Sequence, residues 1–489
     1  MNRHLKVGVV ITAIICASSI AGAWLTGTQV EGAVQSMVHQ TNKKLQVARA
    51  GLDIQATLEL VSFEQHIFSS TARYRVVYKK ASSGTEAALL DFIFVDRVEH
   101  GPFPWARVKR LNFIPVLATS TYTLENTPST ALLFRNEKNQ SPLQGEVVYG
   151  YSGSTSGKVE LLPINVSLEQ LSLSSSGLSV SFNETGDGKK LSVTSQTDDF
   201  NLRMIANKKT HLDVQLKDFD LNIDLNKTAH DFYVGNRSIT LGEGRLNGWG
   251  SPTQVDLKGL ELKSLSKANG ELMEAQDVYR VQDIILNGKS VASASMNLAV
   301  RDINIPAFLS MRSIIESLSQ KIQRQPGTPL TYDQLYELKT AAEQYAASKP
   351  YTELDNLTIK TANGESRFSF ALGINQPSER ARSLADQIRY TIASLYVDLK
   401  LSKPMLADLL SIQAQLAGTT APEGTPQLAE VGSEMIFLKA VDTGLANIEG
   451  NTLLASLVYS AGQVDLNDQK MSVEDFLSVL SPLSGGTRQ

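Results

Sequence analysis

The sequence predicts an α+β protein that is mainly β. The expected architecture is a large curved antiparallel sheet of bent amphipathic strands, groove-like, with helices mainly in the C-terminal half and one transmembrane helix ahead of it. Three observations predict this. A six-residue phrase recurs through the middle of the chain, helical spacing within the body beyond residue 50 arrives only after residue 305, and the first uncharged run is long enough to cross a bilayer. The phrase reads Leu168-Glu169-Gln170-Leu171-Ser172-Leu173, then Leu216-Lys217-Asp218-Phe219-Asp220-Leu221, then Leu257-Lys258-Gly259-Leu260-Glu261-Leu262. Looser copies follow at Val300-Arg301-Asp302-Ile303-Asn304-Ile305 and Leu354-Asp355-Asn356-Leu357-Thr358-Ile359. Each is an alternating strand that slips by one residue. A slip turns the apolar set to the other face unless a bulge absorbs the extra residue. Recurring slips imply strands bent at matching heights, with Leu168, Leu216, Leu257, Val300 and Leu354 on the apolar sheet face. Val95-Asp96-Arg97-Val98 reads as an earlier copy.

The N-terminus opens with Arg3, His4 and Lys6, followed by an uncharged run from Val7 to Leu25. At helical rise that run spans roughly 28 Å, close to the hydrocarbon thickness of a bilayer. Val7, Ile11, Ile15, Ile20, Trp24 and Leu25 are the expected anchor residues, with the Trp24 indole at the interface. The next basic residues are Lys43 and Lys44, so the positive-inside rule places residues 1–6 in the cytoplasm and the remainder outside it. A cleaved signal peptide is the competing reading, with Ala21-Gly22-Ala23 as an acceptable cleavage site; the run exceeds the usual signal core, which favours an uncleaved anchor. Cys16, the single cysteine, follows Ile15 where a lipoprotein signal wants a small residue, and the exported part has no disulfide.

Residues 26–50 read as a juxtamembrane helix, with Val30, Val34, Met37 and Val38 at helical spacing. Residues 51–305 form a β-rich region. Leu58–Phe63 and Tyr74–Tyr78 flank Phe68-Ser69-Ser70 as in a hairpin. Phe92–Val98 runs into His100-Gly101-Pro102-Phe103-Pro104-Trp105, where two prolines take the chain out of the ladder. A helical pair is expected over 306–349, its first helix carrying Phe308, Met311, Ile314, Ile315 and Leu318 on one face. A mixed α/β region packing on the sheet fills 350–489: strands at 352–373, helices near 379–394 and 404–416, strands at 436–442, 452–459 and 462–466, and a helix from Ser472 to Leu480 capped by Ser472 and Asp475.

The 489 residues carry 46 basic and 50 acidic side chains, a net charge of −4, which argues against a nucleic-acid partner. Hydrophobic content of 42% with 20% charged residues fits a folded chain. The nearest approach to a nucleophile elbow, Gly153-Ser154-Thr155-Ser156-Gly157, has Thr at its centre and reads as a polar turn. No paired cysteines, His-Glu-x-x-His or phosphate-loop glycines occur, so no catalytic, metal or cofactor residues are expected. Asp213, Asp218, Asp220, Asn222 and Asp224 alternate with apolar residues and form the solvent face of a strand.

The run Glu99-His100-Gly101-Pro102-Phe103-Pro104, followed by Leu111-Asn112-Phe113-Ile114-Pro115, resembles the YdgA-like family of Gram-negative envelope proteins. Tyr149-Gly150-Tyr151-Ser152-Gly153 and the closing Asp465–Phe476 segment are similar to the same family. The resemblance implies an inner-membrane anchor, a periplasmic body and no known activity; His100, Gly101, Pro102, Phe103 and Pro104 are its most specific loop, of unknown role.

Two functional expectations follow. The first is a non-enzymatic anchored protein that binds or guides a lipid or other apolar ligand in envelope maintenance. The second is a scaffold or homodimer with a filled core and no ligand, docking an envelope partner through 306–323 and 332–347. The residues leave open whether the late helices fill the apolar sheet face.

Overall fold

The computed structural model describes residues 38–39, 41–42, 54–80, 90–134, 140–167, 171–206, 209–248, 253–324, 331–376, 378, 380–416 and 425–480. The expected anchor (Val7, Ile11, Ile15, Ile20, Trp24, Leu25), its alternative cleavage site and the Leu168 copy of the phrase lie outside these residues. Among the described residues no helix is long and apolar enough to cross a membrane. They form a mainly antiparallel β protein with its helices mostly in the C-terminal half. The chain divides into two compact units, residues 1–226 with 240–252, and residues 227–239 with 253–489.

The first unit begins with β1 (Ile54–Gln65), β2 (Ser69–Lys80) and β3 (Leu90–His100), then a one-turn helix α1 (Trp105–Val108). It continues through β4 (Ala118–Leu124), β5 (Leu143–Tyr149), β6 (Thr155–Leu161), β7 (Ile164–Ser167), β8 (Leu171–Ser175), β9 (Leu178–Glu184), β10 (Lys190–Ala206) and β11 (Lys209–Lys227). Strands β1 to β6 pair in sequence order, and β6 pairs with β9 rather than β7. The strand β12 (Tyr233–Gly248) is divided between the units.

The slipped phrase is a backbone device. Asp218 (φ 52°), Gly259 (φ 57°), Asp302 (φ 56°) and Asn356 (φ 54°) all hold left-handed backbone, at the same third place of their copies. Asp, Asn and Gly are the residues that reach this region at least cost, because a short polar side chain or none relieves the Cβ clash. In the first unit the slips line up. Pairing between β10 and β11 lapses at Asp198 opposite Asp218 while the register on either side is unchanged. Strand β10 pairs with β9 before that point and with β8 after it, so β8 and β9 act as one strand broken at Ser176-Gly177. The inward set accordingly shifts from Leu212, Val214 and Leu216 to Phe219, Leu221 and Ile223.

One expected copy is not a slip. Val95-Asp96-Arg97-Val98 pairs without interruption with both β2 and β4. Its two adjacent polar residues arise because Asp96 points inward with Val98, not because the strand shifts.

The second unit starts with β13 (Val255–Asn269), β14 (Leu272–Leu286) and β15 (Lys289–Asn304). Helices α2 (Ile305–Arg324) and α3 (Tyr332–Ala347) follow, then β16 (Tyr351–Lys360), β17 (Glu365–Ile374), α4 (Leu384–Thr391) and β18 (Ile392–Ser402). Next come α5 (Lys403–Leu416), α6 (Thr425–Asp442), the strands β19 (Asn447–Glu449), β20 (Thr452–Ser460), β21 (Gln463–Leu466) and β22 (Gln469–Ser472), and α7 (Val473–Leu480). Helix α7 starts as expected, with the Asp475 amide donating to Ser472 Oγ at 3.1 Å. Pairing between β13 and β14 lapses at Gly259 and Leu260 with the register unchanged on either side, and a Cβ on Gly259 would meet the Gln282 side chain at 2.3 Å.

Two expected elements differ. Residues 436–442, expected as a strand, are the last turns of α6, a helix apolar on both its inner and its outer side, so that no single buried stripe marks it as a helix. The helix expected over 379–394 stops at Thr391, and 392–402 is strand β18. There Ile392, Leu395, Tyr396 and Leu399 mimic helical spacing, and the β pairing of both edges overrides it.

Candidate functional site

Two sites stand out, and they are built in contrasting ways. The first lies on one face of the second unit. Cross-strand pairing aligns Leu298 with Leu354, Leu354 with Phe370, Phe370 with Val397, and Val397 with Leu457. Five apolar side chains therefore cross five neighbouring strands in one row, spanning roughly 19 Å at ordinary strand spacing. All five are half-buried. The opposite face at this height is mixed: Asp355, Ser369, Asp398 and Ser456 lie to one side of the row, and Ala371, Tyr396 and Val458 to the other, the last two exposed.

Helices close the row on both flanks but leave its centre half-exposed. On one flank, α4 and α7 bury Tyr459, Val464, Ala385 and Val473, with Leu395 and Leu457 against them. On the other flank, α5 and α6 enclose Phe437 and Leu453, which pack with Leu399, Leu401 and Ala455. Near β15, Ile303, Ile305 and Met273 are buried with Val300, Phe308 and Tyr345 packed around them under α2 and α3.

Of the residues expected on an apolar sheet face, Leu354 lies in this row. Val300 is its neighbour on the same face, because Leu298, two residues earlier, pairs directly with Leu354. Leu257 pairs with Ile284 further along the sheet, and Leu216 is buried in the first unit. The structure brings together two of the five. Sequence reasoning missed Phe370 and Val397, although the alternation of Phe368, Phe370 and Leu372 carried the signal.

The second site is a polar cluster on the inward face of β2 to β5. Asp96 is 4% exposed and accepts a hydrogen bond from Ser120 Oγ. In register around it stand Ala72 on β2 and Tyr122 on β4, with Ser70, Val98, Ser120 and Val147 in the next row. Burial pushes the Asp96 carboxyl up to about 7, against the pull of its bond from Ser120. Burial, with Asp96 as the next cause, holds the Tyr74 and Tyr122 phenols far above their ordinary range. Tyr122 Oη and Tyr149 Oη influence each other's ionisation but make no hydrogen bond of ordinary geometry. The cluster thus buries a carboxyl whose proton is held well above the ordinary carboxylate range.

The His100-Gly101-Pro102-Phe103-Pro104 loop borders this cluster. His100 Nε2 lies 3.0 Å from Ser70 Oγ on the inward face, while Glu99, pointing the other way, accepts from the Ala106 amide at 2.7 Å. Gly101 is required by close approach, since a Cβ there would sit 1.9 Å from Val116 O. Pro104 is fully buried, whereas Phe103 projects into solvent. The acidic series of β11 meets basic neighbours, as in the pair of Asp213 with Arg203 at 2.9 Å. No group of three or more His, Cys, Asp and Glu side chains suited to a metal lies among the described residues.

The interaction surface expected on α2 is partly core. Leu318 is buried, Ile314 half-buried, and only Ile315 of that group is outward. The more exposed apolar stripe lies on α6, where Leu428, Val431, Met435 and Leu438 face outward while Phe437 and Ser433 face in.

Comparison with known proteins places these features. Residues 1–474 match the bacterial protein family of unknown function DUF945. The chain is 26% identical over 499 aligned positions to Protein YdgA of Escherichia coli K12, covering 98% of this chain and 97% of the relative. It is 23% identical to the uncharacterized protein YihF of the same organism, covering 98% of both. An uncharacterized Haemophilus influenzae protein is 22% identical over 336 residues, which is 65% of this chain and 87% of the relative. No solved structure matches.

Proposed function

We propose that this protein, which belongs to the DUF945 family of bacterial proteins of unknown function, is an inner-membrane-anchored periplasmic protein that holds an apolar ligand, an acyl chain, on the second unit's sheet. The observation that carries the reading is the row Leu298, Leu354, Phe370, Val397 and Leu457, each partly exposed, with Leu457 packed on the buried cluster under α4 and α7 and the α5–α6 cluster on the other side. Large apolar side chains left part-wet in a row cost free energy that a covering ligand recovers. Each buried methylene contributes about 0.8 kcal/mol. The uncharged run at residues 7–25 supports anchoring, and the lack of disulfide-capable cysteines beyond it leaves the body to be held by packing alone.

Native mass spectrometry after mild extraction tests this reading, together with uptake of a fluorescent fatty acid by the full chain. A co-purifying lipid and saturable uptake that Phe370→Glu abolishes support it. A bare protein that takes up no probe refutes it.

The α6 stripe favours a second reading, a scaffold or homodimer. Leu428 and Met435 are about two-thirds exposed on a helix whose other side is locked by Phe437. Leu428→Glu with Met435→Glu would then lower the oligomeric mass without changing probe uptake.

A further inference from the structure

At one end of the first unit's sheet, four connections meet: the β1–β2 turn at 66–68, the β3–β4 loop at 101–117, the β5–β6 turn at 150–154 and the β9–β10 turn at 185–189. Register pairs Ser69 with Glu99, His100 with Ala118, Ala118 with Tyr149 and Thr155 with Glu184, which puts all four on the same edge. Phe68, Phe103, Trp105, Leu111, Phe113 and Ile114 are there, each more than half exposed. Scattered apolar surface residues need no explanation, but six large ones concentrated on one edge do.

The loop that carries most of them is held firmly. Arg107 is buried and donates to Asn112 Oδ1 at 3.0 Å, Arg110 pairs with Glu146 at 2.6 Å, and the Ala106 amide donates to Glu99. Leu111 is kept in left-handed backbone (φ 58°), a strained conformation for a bulky residue, while its side chain points into water. The chain therefore holds these side chains outward rather than letting them collapse.

We infer that this edge docks on the phospholipid surface of the bilayer that anchors the chain, an inference that rests on the anchor reading above. Two observations name lipid as the occupant. The first is chemistry: residues 101–118 contain no acidic side chain, and of their three basic ones Lys109 is exposed with its Nζ 5.7 Å from the Trp105 ring centre, Arg110 is exposed beside Glu146, and Arg107 is buried. Exposed Trp and Phe next to basic residues suit an interface between acyl chains and anionic headgroups.

The second is chain geometry. Asn42 makes two hydrogen bonds to the Leu58 backbone, and Val38 packs on the cluster of Leu58, Ala72 and Tyr74, which extends along β1 toward the edge. Eleven residues separate Asn42 from Ile54, which lies beyond Leu58 on the side away from the edge. Val38 and Asn42 therefore lie alongside β1. The helical spacing of the sequence gives about 26 Å from Asn42 back to Leu25. Strand rise gives about 23 Å from Leu58 to Gln65, where β1 ends at the apolar edge. The seventeen-residue length from Leu25 to Asn42 is thus enough to reach the apolar edge.

The test uses the full chain in nanodiscs containing anionic phospholipid, with an environment-sensitive fluorophore on single cysteines and spin-labelled lipids as quenchers. Labels are placed on native Cys16, on Ile114→Cys in a Cys16→Ser background, and on Asn126→Cys, a control position at the opposite end of the strands. The inference predicts a blue shift and loss of emission at 114 with shallow quenchers, and neither at 126. A label at 114 that is no more quenched than at 126, while Cys16 is quenched, overturns the docking and leaves the anchor standing. A blue shift at 114 without quenching assigns the edge to a protein partner or a second copy and also overturns it. An unquenched Cys16 overturns the anchor reading, and docking falls with it.

Discussion

The inward faces of the two units use opposite strategies. In the first unit, β2 to β6 bring small and polar residues to a face with almost no exposure, where Ser70, Ser120 and Val147 are at or near zero. A buried carboxyl sits among them. In the second unit, large apolar residues line a face whose middle stays half-exposed although both flanks are sealed. A sheet that tolerates a buried Asp96 has a closed and specified interior, where polar groups are costly unless bonded. A sheet that leaves Phe370 part-wet retains unfilled apolar surface. Under the proposed function, the first face supports the fold and the second contacts the ligand.

Substitutions can break or sharpen that contrast. The largest effect is expected at the sealed flank of the second unit, where Phe437 is 1% exposed. Phe437→Ala should cost about 3–5 kcal/mol in denaturant unfolding. An equal loss from Phe370→Ala would erase the distinction between flank and strip.

The next effect is a pH dependence of the closed face. Asp96 keeps its proton to about pH 7 when folded and would ionise near 3.8 when unfolded. The folded state therefore binds more protons between these values. Its contribution to stability is full below 3.8, falls as pH rises through the window, and levels off above about 7. The total is on the order of 4 kcal/mol, taking 1.36 kcal/mol per unit. Asp96→Asn should flatten the profile and raise stability at pH 8 relative to the parent. A parent profile already flat from pH 4 to 7 would remove the buried proton from the account.

A smaller effect is expected in the open strip. Phe370→Ala should cost roughly 1–2 kcal/mol of stability, as expected for a half-buried ring, while sharply reducing fatty-acid uptake. The smallest is at the surface: Arg75→Ala, which removes a solvent-exposed pair with Asp91 at 2.6 Å, should leave the unfolding midpoint unchanged.

The bends were legible because they demand a residue type: Asp218, Gly259, Asp302 and Asn356 each occupy backbone that most side chains avoid. The misreading at Val95–Val98 has the complementary cause, since a pair of polar residues looks alike whether a strand slips or an Asp turns inward. Strand β18 and the end of α6 were hidden by tertiary context. One has apolar residues at helical spacing and the other is apolar all round, so periodicity carried no decision. The row from Leu298 to Leu457 was invisible for another reason. Its members come from five strands, and only register brings them into line.

A photoreactive phenylalanine analogue placed at Phe370, with a second placed at Tyr396 on the opposite face of the adjacent strand, tests the central claim most directly. Irradiation of the full chain in its native membrane should yield a lipid adduct at 370 and none at 396. No adduct at 370, or equal adducts at both positions, would contradict ligand binding on the strip.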